Sequence, residues 1–331
     1  MSNTENITSS SPSNKFGLGR LIAMGGASIL LCISMFFSVL TPFPIGLCRL
    51  IYGRKSAYLL AFISIIVFSI LSYNFTRDVF FWAFYISCVV IGLVLAELIR
   101  KKIHPVKSIF IIGSLFSLIT FVSVSVYIYD AGKSAEQILI EEIYPVLKPA
   151  FDEQIKALKK SESTEAFEAI ALISDPKALA DQFIKNAPSM FFASLFITLW
   201  ANMFMLLKSN KAIYLRGVSE KTYDESDLLR FKMPEKFVFI VIFSLLLILL
   251  GNKFGNNFSL LGETVLKISA VFYFFQGFGI YLAFLDRFNV RGIIRYFLVI
   301  VTTMSAYYVL AIIGFFDMFV DFNKKLEKKE N

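Results

Sequence analysis

Residues 40–55 read LTPFPIGLCRLIYGRK. Two prolines, a glycine and a basic cluster interrupt an otherwise apolar run. Proline lacks an amide hydrogen and restricts the residue before it, so Pro42 and Pro44 stop a helix arriving from upstream. That helix, RLIAMGGASILLCISMFFSVL at 20–40, has the roughly 20 apolar residues a bilayer span needs. With the N-terminus inside, the chain exits near Leu40 and must be back by Arg54. Residues 41–53 are too few for a second full span. A short half-span or re-entrant segment would return it, and such irregular backbone is tolerated at membrane depth only where protein or water covers it. The other reading is a simple kink that leaves the N-terminus outside.

Working outward, the composition is that of a membrane protein. Of the 331 residues, 56% are hydrophobic, 18% are charged and 37 are Phe; soluble chains carry about 25% charge. The mean hydropathy is +0.67. The formal charge of +8 points to basic loops facing anionic lipid, and excludes nucleic acid as the expected partner. Cys32, Cys48 and Cys88 sit in apolar runs without CxxC spacing, so no disulfide or metal site is expected. The single histidine, His104 in RKKIHPVK, reads as a loop residue. The first apolar run is too long for a signal peptide and reads as a retained span.

Further spans are expected at 56–73, 79–99, 106–129, 188–207, 237–251, about 262–285 and about 293–316. The fold class is therefore all-α: a polytopic transmembrane helical bundle of about eight spans plus a short proline-broken segment, carrying a small helical insertion. The last stretch, 293–322, is also compatible with two short helices. The organisation read from the chain is a disordered tail at 1–17, membrane helices at 18–129, an amphipathic helical insertion at 130–187, membrane helices at 188–322 and a basic tail at 323–331. Lys and Arg bias sets the orientation. The loop at 100–107 holds Arg100, Lys101, Lys102 and Lys107 without an acid, 208–236 holds seven basic residues, and 286–295 holds Arg287, Arg291 and Arg295. All three are assigned to the cytoplasm. The insertion has eleven acids against seven bases, a net charge of −4, and alternation puts it outside.

FKMPEKFVF (231–239), VFYFFQGFGIYLAFLDR (271–287) and IIGFFDMFVDFNKK (312–325), together with the TPFPIG…GRK stretch, resemble the YybS-type family of uncharacterised bacterial membrane proteins. The resemblance covers roughly 20–55 and 230–325. The chain departs from it at Asn323, where a basic residue is commoner, and the acidic insertion is not part of it. That family is distantly similar to the substrate-binding S components of energy-coupling-factor transporters. The resemblance implies an inner-membrane, multi-pass subunit that captures a small molecule and docks on a partner membrane subunit through small residues of its first helix. Ala23 and Ala27 stand at that spacing. Small-xxx-small pairs let helix backbones approach closely, and ordinary packing within the chain is the competing reading.

Charges within spans usually face a bundle interior or a cavity. Glu263 and Lys267 are four apart and pair on one helix face. Phe274, Gly277 and Tyr281 share that face, giving a stripe that could bind a solute: charged at one end, aromatic in the middle, small beyond. Pairing at the membrane interface is the competing reading. Gln276, on another face, is expected to hydrogen-bond a neighbouring helix. So is the Ser194, Thr198, Asn202 stripe. Glu97 is expected to pair locally with Arg100 and Lys101, and Asp317 and Asp321 to anchor or pair at the interface. No Walker, HExxH or GxSxG pattern occurs. No enzyme activity and no cofactor is expected. The leading reading is a solute-binding transport subunit in contact with the lipid bilayer; the alternative is a membrane scaffold that docks partners through 130–187.

Overall fold

The computed structural model describes residues 18–75, 79–159, 164–215 and 223–322, and every regular element among them is helical. The expected tails at 1–17 and 323–331 lie outside the described residues. The helices are α1 (Leu18–Ile33), α2 (Pro42–Phe75), α3 (Val79–Arg100), α4 (Pro105–Ala131), α5 (Ala135–Ile138), α6 (Tyr144–Leu158), α7 (Thr164–Ser174), α8 (Pro176–Leu215), α9 (Glu225–Leu229), α10 (Val238–Phe254), α11 (Asn256–Arg287), α12 (Gly292–Ser305) and α13 (Tyr307–Val320). A 3₁₀ segment, Met35–Leu40, joins α1 to α2, and a π-helical turn, Leu139–Ile143, joins α5 to α6.

Five of these stretches are long and apolar enough to cross a membrane: Phe37–Tyr73, Phe81–Arg100, Pro105–Ala131, Pro176–Lys211 and Phe258–Arg287. Taking α12 and α13 as one bent span gives six. About eight was the sequence expectation, and helix length accounts for the difference. The first expected span, 20–40, ends as an α-helix at Ile33, after 16 residues, about 24 Å at 1.5 Å per residue. α10 has 17 residues, at the lower limit for crossing. The stretch 293–316 is broken at Ala306 by a 92° bend, the two-helix form the sequence left open. The insertion is helical, as expected, and α8 runs from Pro176 through Pro188 to Leu215, so the insertion's last segment and the following span form one helix.

The chain divides into two units. The first comprises residues 1–112 and 197–225. Its core gathers Leu21, Ile29 and Cys32 of α1, Ile45, Cys48, Leu60 and Phe68 of α2, and Tyr85 and Val89 of α3. Phe68 stacks on Tyr85 with ring centroids 4.1 Å apart. The opposite face of α2 exposes Tyr58, Phe62, Ile66, Ile70 and Tyr73, an apolar surface that suits lipid.

The second unit comprises residues 113–196 and 226–331. Here α11 is the central helix. A Cβ added at Gly262 would lie 2.6 Å from the Ser244 carbonyl oxygen of α10, and one added at Gly277 would lie 1.8 Å from that of Leu310 in α13. Reciprocally, a Cβ at Gly314 would lie 1.9 Å from the Tyr273 carbonyl oxygen. Absent side chains thus bring α10 and α13 against α11 at backbone distance, the small-residue mode of membrane helix packing. The insertion begins at α5, where Ser134 and Gln137 form a capping box.

Candidate functional site

The proline-rich stretch builds the most polar interior in the first unit. The prolines begin a helix here; they do not end one. Pro42 is the first residue of α2 and Pro44 the third. Proline is favoured there because the first amides of a helix have no intrahelical partner and proline has none to strand. The helix then breaks at Gly53, whose φ of 85° and ψ of −173° are accessible essentially to glycine. Residues 42–52 are therefore a half-helix of about 16 Å.

Its position along α3 follows from one close approach. A Cβ added at Gly92 would lie 2.3 Å from the Pro42 carbonyl oxygen. Gly92 stands about 12 Å from the Arg100 end of α3 and about 20 Å from the Val79 end. The half-helix thus starts beside α3 about 12 Å from its basic end. It runs toward the basic end, because Arg49 meets Glu97. The Ser28 hydroxyl of α1 donates to the Thr41 carbonyl at 3.0 Å, so α1 and the start of the half-helix are tied together.

Around the start of the half-helix lie Ser28, Thr41, Ser64, Tyr85 and Asn202, each 2% exposed or less. Asn202 commits both amide hydrogens, to the Val39 and Thr198 carbonyls at 2.7 Å each. The Tyr85 hydroxyl stands beside Ser28 and Ser64. Three fully buried oxygens are left without a hydrogen-bond partner: Thr41 Oγ1, Tyr85 Oη and Asn202 Oδ1. Two are hydroxyls that donate or accept, and the third only accepts. Leaving such a group unpaired costs roughly 1–3 kcal/mol. The cluster is thus suited to a small solute offering at least one donor. The three cysteines are buried thiols, and among the described residues no three His, Cys, Asp or Glu side chains form a metal site.

At the other end of the half-helix, Glu97 accepts from Arg49 before the break and Arg54 after it. The sequence expectation of a local pair with Arg100 and Lys101 is corrected: two arginines more than forty positions away hold this carboxylate. Arg49 is 5% exposed, and α3 is the wall on which both sides of the break close.

In the second unit, Gln276 bonds as expected. Its oxygen accepts from Met233 N at 2.9 Å and its amide donates to Asp317 at 2.8 Å. Asp317 is fully buried and also accepts from Phe322 N, while Asp321 pairs with Lys232 at 3.0 Å. The residues of the expected solute stripe are distributed along α11. Lys267 lies 3.7 Å from Glu263, with both side chains nearly half exposed, and donates to Asn186 at 2.9 Å. Phe274 packs beside Phe275 and Phe278. Gly277 faces the α13 backbone. The Tyr281 hydroxyl lies 3.0 Å from that of Thr302. On α1, Ala23 is exposed and Ala27 partly so, while Gly25 packs against Leu60.

The family model described as Predicted membrane protein (DUF2232) matches residues 21–318. The chain belongs to that family. No curated protein and no solved structure matches it. The family's description gives a membrane location and names no activity. Its matched region contains every residue of the cluster from Ser28 to Asn202, and the Gln276–Asp317 bond as well. With its long apolar helices, the chain is an integral, multi-pass membrane protein of that family.

Proposed function

We propose that this protein is the solute-binding subunit of a membrane transport system, holding a small polar molecule at the start of the 42–52 half-helix. One observation carries the reading: three fully buried, unpartnered oxygens, those of Thr41, Tyr85 and Asn202, lie near the start of the 42–52 half-helix. Broken helices with half-helix termini at the bilayer midplane are the form in which transporters bind solutes. The resemblance to YybS-type proteins and to S components supports the same reading, and the exposed Ala23 face of α1 suits docking on a partner membrane subunit. ATP hydrolysis would belong to another chain. Charge bias supports the cytoplasmic membrane as location, with 130–187 outside.

The test is native mass spectrometry of the gently purified protein. Wild type is expected to retain a small molecule that Thr41→Val and Tyr85→Phe lose, both substitutions keeping side-chain volume. Loss in Glu263→Gln, with retention in the other two, would move the site to the Glu263, Lys267, Phe274, Gly277 and Tyr281 stripe. No small molecule in any preparation, with a protein partner bound through 130–187, would overturn transport in favour of the scaffold.

A further inference from the structure

The bend at Ala306 decides what α12 is. α13 lies along α11, with Leu310 against Gly277 and Gly314 against Tyr273, and α11 is one of the spanning helices. α12 stands at 92° to α13. Perpendicular to α13, α12 runs across the direction of the spanning helix that α13 follows. The side chains of α12 divide accordingly. Ile293, Phe297, Ile300 and Met304 form one exposed stripe, flanked by exposed Tyr296 and Val301. The opposite face is tied to the last turns of α11: Thr302 meets Tyr281 at 3.0 Å, and Arg295 Nη2 donates to Asp286 at 3.2 Å. Two arginines, Arg287 and Arg291, precede the helix and are exposed. Among the described residues neither has an acidic partner, because Asp286 is taken by Arg295. Tyr307 and Tyr308, exposed at the bend, have the apolar body and polar tip that settle at headgroup level.

We infer that α12 is an in-plane helix that seats its apolar stripe in one leaflet and binds anionic phospholipid headgroups through Arg287 and Arg291. An amphipathic helix with a basic end lies in this way, its apolar face at the boundary between headgroups and acyl chains. Each basic residue near an anionic surface adds to the attraction. α12 is then no part of a crossing, and α13 enters the membrane from the surface on which α12 rests.

The experiment reconstitutes the full chain, with its three native cysteines replaced by alanine, in vesicles of phosphatidylethanolamine and phosphatidylglycerol. Single cysteines at Ile293, Phe297, Ile300 and Met304 carry a fluorophore, and lipids brominated at known depths quench it. All four positions are expected at one shallow depth. A helix crossing the bilayer would spread them over about 16 Å, as Leu59, Ile66 and Tyr73 of α2 should be spread in the same preparation. The second arm counts lipids retained by the purified protein in native mass spectrometry. Arg287→Gln with Arg291→Gln is expected to weaken phosphatidylglycerol retention about thirtyfold, equivalent to about 2 kcal/mol, and to leave phosphatidylethanolamine unchanged. Lys101→Gln with Lys102→Gln serves as the charge-matched control. A depth gradient along α12 overturns the in-plane helix. Unchanged phosphatidylglycerol retention, or an equal loss in the control, overturns the headgroup site. The cysteine series keeps both arginines, so the depth result stands even where the arginine variant fails to fold.

Discussion

Gly277 lies where α13 rests on α11. An alanine there would place its methyl 1.8 Å from the Leu310 carbonyl oxygen, and the two backbones would have to separate. Overpacking of this kind costs about 1–3 kcal/mol or more, so Gly277→Ala is expected to lower the melting temperature in detergent clearly. No change would mean that the two helices are not in backbone contact. The sequence placed Gly277 on one helix face with Phe274 and Tyr281. What occupies it was not legible, because periodicity orders residues around a helix without saying which neighbour arrives. Gln276 was legible: a buried amide has to find partners, and it found Met233 and Asp317. Gln276→Leu would strand both, at roughly 1–3 kcal/mol each, and should lower the melting temperature comparably. A residue outside the spans gives a pH dependence. Glu142 accepts from the Tyr127 hydroxyl at 2.7 Å and from Lys133 at 3.3 Å. The Tyr127 bond first, then Lys133, hold its carboxyl below the usual carboxylate range. A depressed carboxylate contributes above its ordinary pKa and loses that contribution as pH falls through the lowered one. Amide exchange over 135–143, corrected for its intrinsic pH dependence, should therefore stay protected from neutral pH to about pH 5 and loosen only in stronger acid.

Among the elements, α2 departs most from its sequence reading. Proline ends a helix from one side and begins one from the other, so Pro42 and Pro44 alone could not say which helix they governed. That the chain is interrupted here was legible, because prolines and a glycine stand in an apolar run; the break itself falls at Gly53. The cluster at the start of α2 was not: Ser28, Thr41, Tyr85 and Asn202 come from four separate segments, and single hydroxyls in apolar runs carry no spacing signal. Gly53→Ala forces a side chain into a backbone conformation reserved for glycine, at about 1–3 kcal/mol. Glu97→Gln removes the carboxylate that holds Arg49 and Arg54 across the break. Stripping one partner from a buried pair costs about 3–5 kcal/mol, and the 21% exposure of Glu97 puts the expectation at the lower end. Pairing Glu97→Leu with Arg49→Met should recover part of that loss. If the single change proves harmless in a thermal melt, the clasp does not hold the half-helix.

For the whole chain, charge bias gives a two-sided expectation. Cysteines at Gln154 and Lys101, in a background without native cysteines, should label differently in intact cells. The first should react with a membrane-impermeant maleimide, and the second only after permeabilisation. Equal labelling would overturn the assignment. Apolar length made the all-α membrane class legible, since the same runs appear as helices. The span count was less so, because composition does not reveal where a run bends, as at Ala306, or stops short, as at Ile33. The bond between Asn202 and the turn before α2 also bears on how the protein is made. The Val39 carbonyl waits for the Asn202 amide, 163 positions later in the chain. At roughly 5–20 residues per second of synthesis, that delay is about 8–33 s. Through it the ribosome-bound chain holds a turn whose Val39 carbonyl lacks its Asn202 partner. Chains stalled near residue 150 should therefore leave the 34–42 segment open to protease, and chains stalled well beyond Asn202 should protect it.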